Sequence, residues 1–271
     1  MEKYGVKPPP SHEAPWRILA VFSFRPRNRT SEDVSAWPMQ TSQRWPIGTT
    51  AALWLAFLLV VGHYLAMFGV GGALTVALGI HDRQEIWQAP PAAFIINIGV
   101  GLFEIGLVLA VGMRRYARLS FREAGWRDLA LRDVSYGVLG FALCAIALTG
   151  LLASDSGFSD AIAYIADKIA HYTPQQRVFF ALMGVIAAVP EETIFRGILQ
   201  PTLQTKLGRW PGILLTAVIF AVYHVQFAFE LPLLISHTCL GLILGLLRER
   251  TGTLWAPAIA HALMWIVLGS I

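Results

Sequence analysis

Glu191 and Glu192 stand side by side inside the apolar stretch 178–200 of a 271-residue chain, with Arg196 four residues after the second of them. A carboxylate at the centre of a membrane helix costs roughly 2.5–3.5 kcal/mol on insertion scales, so two in succession need a reason. A stop signal at the membrane edge is the plain alternative, and position argues against it. Counting back from Leu203, Glu191 lies about 12 residues in, roughly 18 Å at 1.5 Å per residue. That is near the middle of a hydrocarbon core about 30 Å thick. Glu192 and Arg196 share a helix face at i,i+4, where an ion pair lowers the cost of one carboxylate. Glu191 points about 100° away from that pair, and Pro190 just before it removes a helical hydrogen bond to Ile186. A buried acid at such a break is placed to take and return a proton. Two histidines lie at comparable depth. His224 is about 13 residues, roughly 20 Å, into the stretch that begins at Pro211, and His261 about 8 residues, roughly 12 Å, beyond Thr253. Depths of about 12–20 Å on three helices can converge on one cavity. A lone membrane histidine usually just hydrogen-bonds to a neighbouring helix. Two of them beside a buried glutamate point to chemistry.

The elements that must position these residues follow from composition. Apolar residues make up 55% of the chain and charged residues 14%, where a soluble domain carries about 25% charged. The apolar residues fall in seven long runs, 51–80, 92–113, 134–153, 178–200, 211–229, 231–247 and 254–271. Each is long enough for a spanning helix of about 17–25 residues. The fold class is therefore all-α, a transmembrane bundle of seven spanning helices over 48–271, or eight if the glycine-rich first run splits at Gly69, Gly71, Gly72 or Gly79. Residues 1–47 differ: they are polar, with Pro8-Pro9-Pro10 and basic residues from Lys3 to Arg44, and read as a largely disordered cytoplasmic arm. No cleavable signal peptide is expected, because the first long apolar run starts late and lacks a cleavage-site pattern.

Short loops rich in Lys and Arg stay in the cytoplasm. Arg114, Arg115, Arg118, Arg122, Arg127 and Arg132 place the loop between the second and third runs inside, and Lys206 with Arg209 and Arg248 with Arg250 mark the later inside turns. The expected localisation is the cell membrane, multi-pass, with the N-terminus cytoplasmic and the C-terminus outside. The net charge of +4 sits in loops and reports topology, so nucleic acid is not an expected partner. Thr173-Pro174-Gln175-Gln176 reads as a capping box with proline in the first turn, opening the fourth helix. Residues 158–169 carry an apolar face suited to an interfacial helix. Gly241 and Gly245 form a GxxxG pair that predicts close helix packing. Cys144 and Cys239 read as packed thiols, and His63, Asn97, Glu104 and His237 as interhelical hydrogen-bonders.

Glu191-Glu192-x-x-x-Arg196, then Phe220-x-x-x-His224, then His261 in the last helix together resemble the CPBP intramembrane proteases, which comprise type II CAAX prenyl endopeptidases and bacteriocin-processing, Abi-like enzymes. Phe121-Arg122-Glu123-Ala124-Gly125-Trp126 and Arg250-Thr251-Gly252-Thr253-Leu254-Trp255 are also similar to family stretches, so the resemblance covers about 114–271. It implies an intramembrane endopeptidase cutting a membrane-associated substrate, prenylated CAAX-type or leader peptide, near the cytoplasmic side. Matched motif to motif, Glu191 would activate water, His224 would hold that water, and His261 would stabilise the oxyanion. Glu192 with Arg196 would orient the catalytic helix. Phe195, Phe220 and Trp265 are the candidate binding residues. One position departs from the family: where it carries Asn or Asp four residues after the histidine, this chain has Trp265. Its indole N–H would then donate in place of the amide, or Asn97 would reach in.

One carboxylate with two imidazoles is also a catalytic zinc set, with Glu191, His224 and His261 as ligands. The spacing is not HExxH, however, and metal-free glutamate catalysis leads. The expected partners are the lipid bilayer and a protein or peptide substrate; oligomeric state is open. Two other functions fit buried Glu, Arg and His: a proton-coupled transporter, which inverted repeats would favour, and a non-catalytic membrane scaffold.

Overall fold

The computed structural model describes residues 47–78, 119–154, 172–224 and 231–270, with single positions at 163, 167 and 170. All secondary structure among the described residues is helical. The helices are α1 (Thr49–Leu78), the short α2 (Phe121–Ala124), α3 (Leu131–Ser154), α4 (Pro174–Glu192), α5 (Gln200–Leu207), α6 (Arg209–Tyr223), α7 (Leu231–Thr251) and α8 (Trp255–Ser270). Between α4 and α5 the helix is wound as a π-helix over Thr193–Leu199. The second apolar run, Asn97, Glu104, the interfacial segment 158–169 and the basic arm lie outside the described residues, as does the side chain of His63.

Among the described residues, three helical segments are long and apolar enough to cross a membrane: Leu131–Leu151, Pro174–Leu207 and Leu231–Thr251. The first run does not split among the described residues; α1 continues for 30 residues. That is about 45 Å at 1.5 Å per residue, longer than a hydrocarbon core of about 30 Å. In contrast, α6 has 15 residues and α8 has 16. Each is short of the roughly 20 residues a full crossing takes.

The distribution of side chains suits lipid. Leu65, Val76, Ile146, Val178, Leu182 and Val218 point outward, while Asp133, Glu191, Glu192, Arg196, Gln200, His224 and His261 are buried. A soluble protein would reverse much of that pattern. In a bilayer, polar side chains turn inward because hydrocarbon offers them no partner. Phe195, Ile198, Leu199, Phe220, Tyr223 and Leu244 form the core around the π-helix, with Leu55 and Ala56 of α1 closing one side. Cys144 and Cys239 are free thiols.

The basic helix ends meet at one end of the bundle. Arg132 at the start of α3 donates to Thr251 O at 2.9 Å. Arg209 at the start of α6 pairs with Glu249 near the end of α7. Leu254 N–H donates to Gly125 O at 2.9 Å, and Trp255 Nε1 to Arg127 O at 2.6 Å, stitching the loop after α2 to the start of α8. Buried Asp133 ties the same corner together, accepting from Thr253 Oγ1 at 3.1 Å and from Ala130 N–H at 3.1 Å.

Candidate functional site

The helix that carries the two glutamates is fixed at both ends. Thr173 Oγ1 accepts from Gln176 N–H and Gln176 Oε1 accepts from Thr173 N–H, the reciprocal capping box that the sequence predicts, with Pro174 opening the first turn. Glu191 falls about halfway along Pro174–Leu207. Immediately after Glu192 the winding loosens. Gln200 N–H reaches back to Phe195 O, an i−5 bond, where an α-helix would use Arg196 O. In the same register Arg196 O would take its hydrogen from residue 201, which is proline and has none. Arg248 of α7 fills the gap, its Nε donating to Arg196 O at 3.3 Å.

More bonds hold this helix to α7. Arg196 Nη2 donates to Gly241 O at 3.4 Å and Gln200 Nε2 to Gly245 O at 3.1 Å. The GxxxG pair does serve close packing, since a Cβ at Gly241 would come within 2.9 Å of Ala217 Cα. It also exposes two carbonyls as acceptors for buried donors. From below, Trp126 Nε1 donates to Thr193 Oγ1 at 2.8 Å, and Thr193 Oγ1 donates to Val189 O at 2.7 Å. The loop after α2 thus bonds to the residue next to Glu192.

On this frame Glu191 Oε2 lies 3.6 Å from His224 Nε2 and 3.8 Å from His261 Nε2. All three side chains are buried. Glu192 Oε1 accepts from Arg196 Nη1 at 3.0 Å and bonds to His261 Nδ1 at 2.9 Å. One carboxylate oxygen therefore serves a cation on its own helix and an imidazole on α8. Arg196 is fully buried, and its guanidinium lies 4.1 Å above the Phe220 ring, a cation–π contact that replaces part of its lost hydration. Phe220 also meets His224 at 4.4 Å and His261 edge-on at 5.8 Å, so it forms the wall shared by both histidines. Phe195 sits one layer deeper, edge-on to Phe220 at 5.2 Å.

The second nitrogen of each imidazole determines what the first can do. His224 Nδ1 bonds to Phe220 O at 2.8 Å; a carbonyl only accepts, so Nδ1 carries the hydrogen and Nε2 presents a lone pair. His261 Nδ1 faces the Glu192 carboxylate, which likewise takes a hydrogen. Glu191 Oε2 and the two Nε2 atoms therefore converge, within 4.8 Å of one another, on a point that favours a proton, a water or a divalent cation. Zinc ligands at about 2.0–2.2 Å would stand roughly 3.4 Å apart in a tetrahedron. Groups sharing one water at about 2.8 Å would stand roughly 4.6 Å apart. The two glutamate–imidazole separations fall between these values. The donor set fits a zinc ion, including Phe220 O and Glu192 as the outer partners that metal-bound histidines require.

Two residues stand differently from the sequence expectation. His224 does not lie within a long spanning helix; it is the C-cap of α6. Trp265 packs into the notch at Gly184, where any Cβ would overlap its ring, and edge-on against Phe180 at 5.1 Å. Gly184 is seven residues before Glu191, about 10 Å along the helix, so the indole is a packing element between α4 and α8. Trp265→Asn is accordingly expected to destabilise the bundle by about 2–3 kcal/mol, below the range for deleting a fully buried aromatic ring because the indole is half-buried. Trp265→Phe should cost less than half as much. Thermal unfolding in detergent compares them, and equal melting temperatures for both variants and wild type would remove the packing role. Conversely, His237, Trp126, Arg248 and Gln200 touch the site or its helix without having been singled out for it. His237 stacks on His224.

Glu191, His224 and His261 thus form one buried cluster on three helices, with the Glu192–Arg196 ion pair behind it. Residues 173–267 match the family described as type II CAAX prenyl endopeptidase Rce1-like. Two proteins of Bacillus subtilis strain 168 are similar. The candidate membrane peptidase YdiL is 24% identical over 235 residues, which is 82% of this chain and 86% of YdiL. The uncharacterized protein YpbD is 36% identical over 79 residues, covering 29% of this chain and only 38% of YpbD. No solved structure matches.

Proposed function

We propose that this chain is an intramembrane endopeptidase in which Glu191 activates a water for attack on a peptide carbonyl. The observation that carries the reading is the position of Glu191 Oε2 between two imidazole Nε2 atoms, buried, on three different helices. A water at the point of convergence would give one hydrogen to Glu191 and the other to the lone pair of His224 Nε2. As its oxygen attacks the carbonyl carbon, Glu191 takes the proton and later returns it to the leaving nitrogen. His224 is backed by a neutral carbonyl and remains an acceptor. His261 is held at Nδ1 by the Glu192 carboxylate, which aims Nε2 at the site; with both ring nitrogens carrying hydrogen, its Nε2–H would donate to the oxyanion. Such a donor in a dry site is worth about 3–4 kcal/mol of barrier.

A second reading has one observation in its favour: Nδ1 of both imidazoles is engaged, by Phe220 O and by Glu192 Oε1, so that in the neutral rings both Nε2 lone pairs face Glu191, the form that binds metal. Glu191, His224 and His261 would hold a zinc ion, which when bound supplies a Lewis acid that polarises the carbonyl and acidifies water. Glu192 and Phe220 O would orient the two imidazoles in either case.

The substrate is a membrane-associated peptide, either carrying a prenylated C-terminal cysteine motif or a leader peptide, cut near the cytoplasmic face. The full-length protein in detergent, given a farnesylated C-terminal peptide, its unmodified counterpart and a leader peptide, should release new termini from at least one. Cleavage of none would remove the peptidase reading. A parallel sample stripped with a strong chelator and checked for bound metal should keep its rate. Loss of rate restored by zinc would establish the metal version.

A further inference from the structure

We infer that His237 is a positioning residue for His224: its ring, fixed to α7, stacks on the imidazole of His224 and holds the plane in which Nε2 faces Glu191. The two ring centroids are 4.6 Å apart with 27° between planes, the parallel geometry of a stack. Each ring is tied to its own helix in the same way. His224 Nδ1 bonds to Phe220 O and His237 Nδ1 to Leu233 O, four residues back and at 2.8 Å in both cases. Ser236 Oγ, at 3.3 Å from His237 Nδ1, adds a further polar neighbour.

His224 needs bracing from outside its helix because it is the residue on which α6 ends. Phe220 at 54° and Tyr223 at 89° contact it from within α6, and neither lies flat on the imidazole. The stacked contact comes from His237 on α7. The glycine at position 241 makes this possible one turn further along α7, where it lets the backbone approach Ala217 of α6. Rotation of the His224 ring would swing Nε2 away from Glu191, and a misplacement of about 1 Å can cost on the order of a hundredfold in rate.

The kinetic part of this inference rests on the proposed peptidase reading; the stacking part does not. The test uses the full-length chain in detergent with ring-labelled histidine, comparing wild type, His237→Leu and His237→Phe. The His224 resonances are identified by their loss in His224→Gln. Stacking predicts that the His224 ring protons of wild type lie upfield of those in His237→Leu, and that His237→Phe restores the shift. On a cleaved peptide, His237→Leu should lower kcat roughly ten- to a hundredfold with KM within about twofold, and His237→Phe should recover most of it. Unchanged His224 resonances in His237→Leu overturn the inference whether or not the protein cleaves any peptide. So does equal loss of kcat in both variants, which would mean that the ring nitrogen is needed.

Discussion

Glu191→Gln lowers the rate of peptide hydrolysis by roughly 10²–10⁴-fold, the contribution of a positioned general base, while the protein keeps its melting temperature. Glutamine has the same shape and can still accept a hydrogen bond through its amide oxygen, but it cannot take a proton from water. Folding should be spared because Glu191 faces Nε2 atoms of two imidazoles and the guanidinium of Arg196 goes to Glu192 instead. Rates and thermal unfolding are measured on the same detergent preparation. A variant that retains wild-type turnover would remove Glu191 from the chemistry. One that loses rate only in proportion to lost folded protein would make the residue structural.

How much of this was legible before the fold depends on the range of each interaction. The Glu192–Arg196 pair needs only helical spacing, and it is present at 3.0 Å. The capping box at Thr173 and the proline after it are likewise local. The meeting of Glu191, His224 and His261 could be anticipated only from depth along separate helices. His224 caps α6 rather than lying within it, although the apolar run 211–229 continues past Tyr223. Hydropathy measures how a segment partitions into lipid and does not mark where its backbone stops being helical. The π-winding over Thr193–Leu199 had one signal, Pro201, which cannot donate to Arg196 O. The basic Arg248 and Arg250 read alike as cytoplasmic markers, yet Arg248 turns inward to Arg196 O and Ala124 O while Arg250 remains exposed. Which of two neighbouring arginines finds a buried acceptor is decided by tertiary packing. For Trp265, the spacing from His261 placed it one turn along the same helix face, but Gly184 opposite creates the notch that its ring fills.

The inside-polar, outside-apolar pattern also explains why helices shorter than the bilayer are tolerated. α6 and α8 pack against α7 and α4, and their outward faces, with Leu214, Val218 and Val222 on α6, remain apolar. Lipid supplies little drive for helices to associate, so packing and interhelical hydrogen bonds must do so. In this chain three of those bonds join Arg196 and Gln200 to α7, through the Arg196 and Gln200 side chains and Arg248. The segment that follows the two glutamates is thus tied directly to α7.

The buried ion pair in that segment sets the second large effect, at Glu192 and Arg196. Both side chains are fully buried, and the pair is made through one carboxylate oxygen, Oε1. Breaking a buried pair leaves an uncompensated charge and costs about 3–5 kcal/mol. Arg196→Met should fall at the upper end, because it also removes the bond to Gly241 O and the contact above Phe220. Glu192→Gln should fall at the lower end, since the amide oxygen can still accept from Arg196 and from His261 Nδ1. The double variant, Glu192→Gln with Arg196→Met, should be less destabilised than the sum of the two, because neither residue then leaves a buried charge. Thermal unfolding and denaturant titration in detergent measure the three values. Activity separates the roles further. Glu192→Gln replaces the carboxylate that holds His261 Nδ1 and should reduce kcat by roughly ten- to a hundredfold, the usual effect of losing an outer partner. This is a smaller loss than that of Glu191→Gln, and it comes with a lowered melting temperature that Glu191→Gln lacks. Strict additivity in the double variant would mean that the two side chains are not coupled. Full activity in Glu192→Gln would leave His261 without a role for the carboxylate behind it.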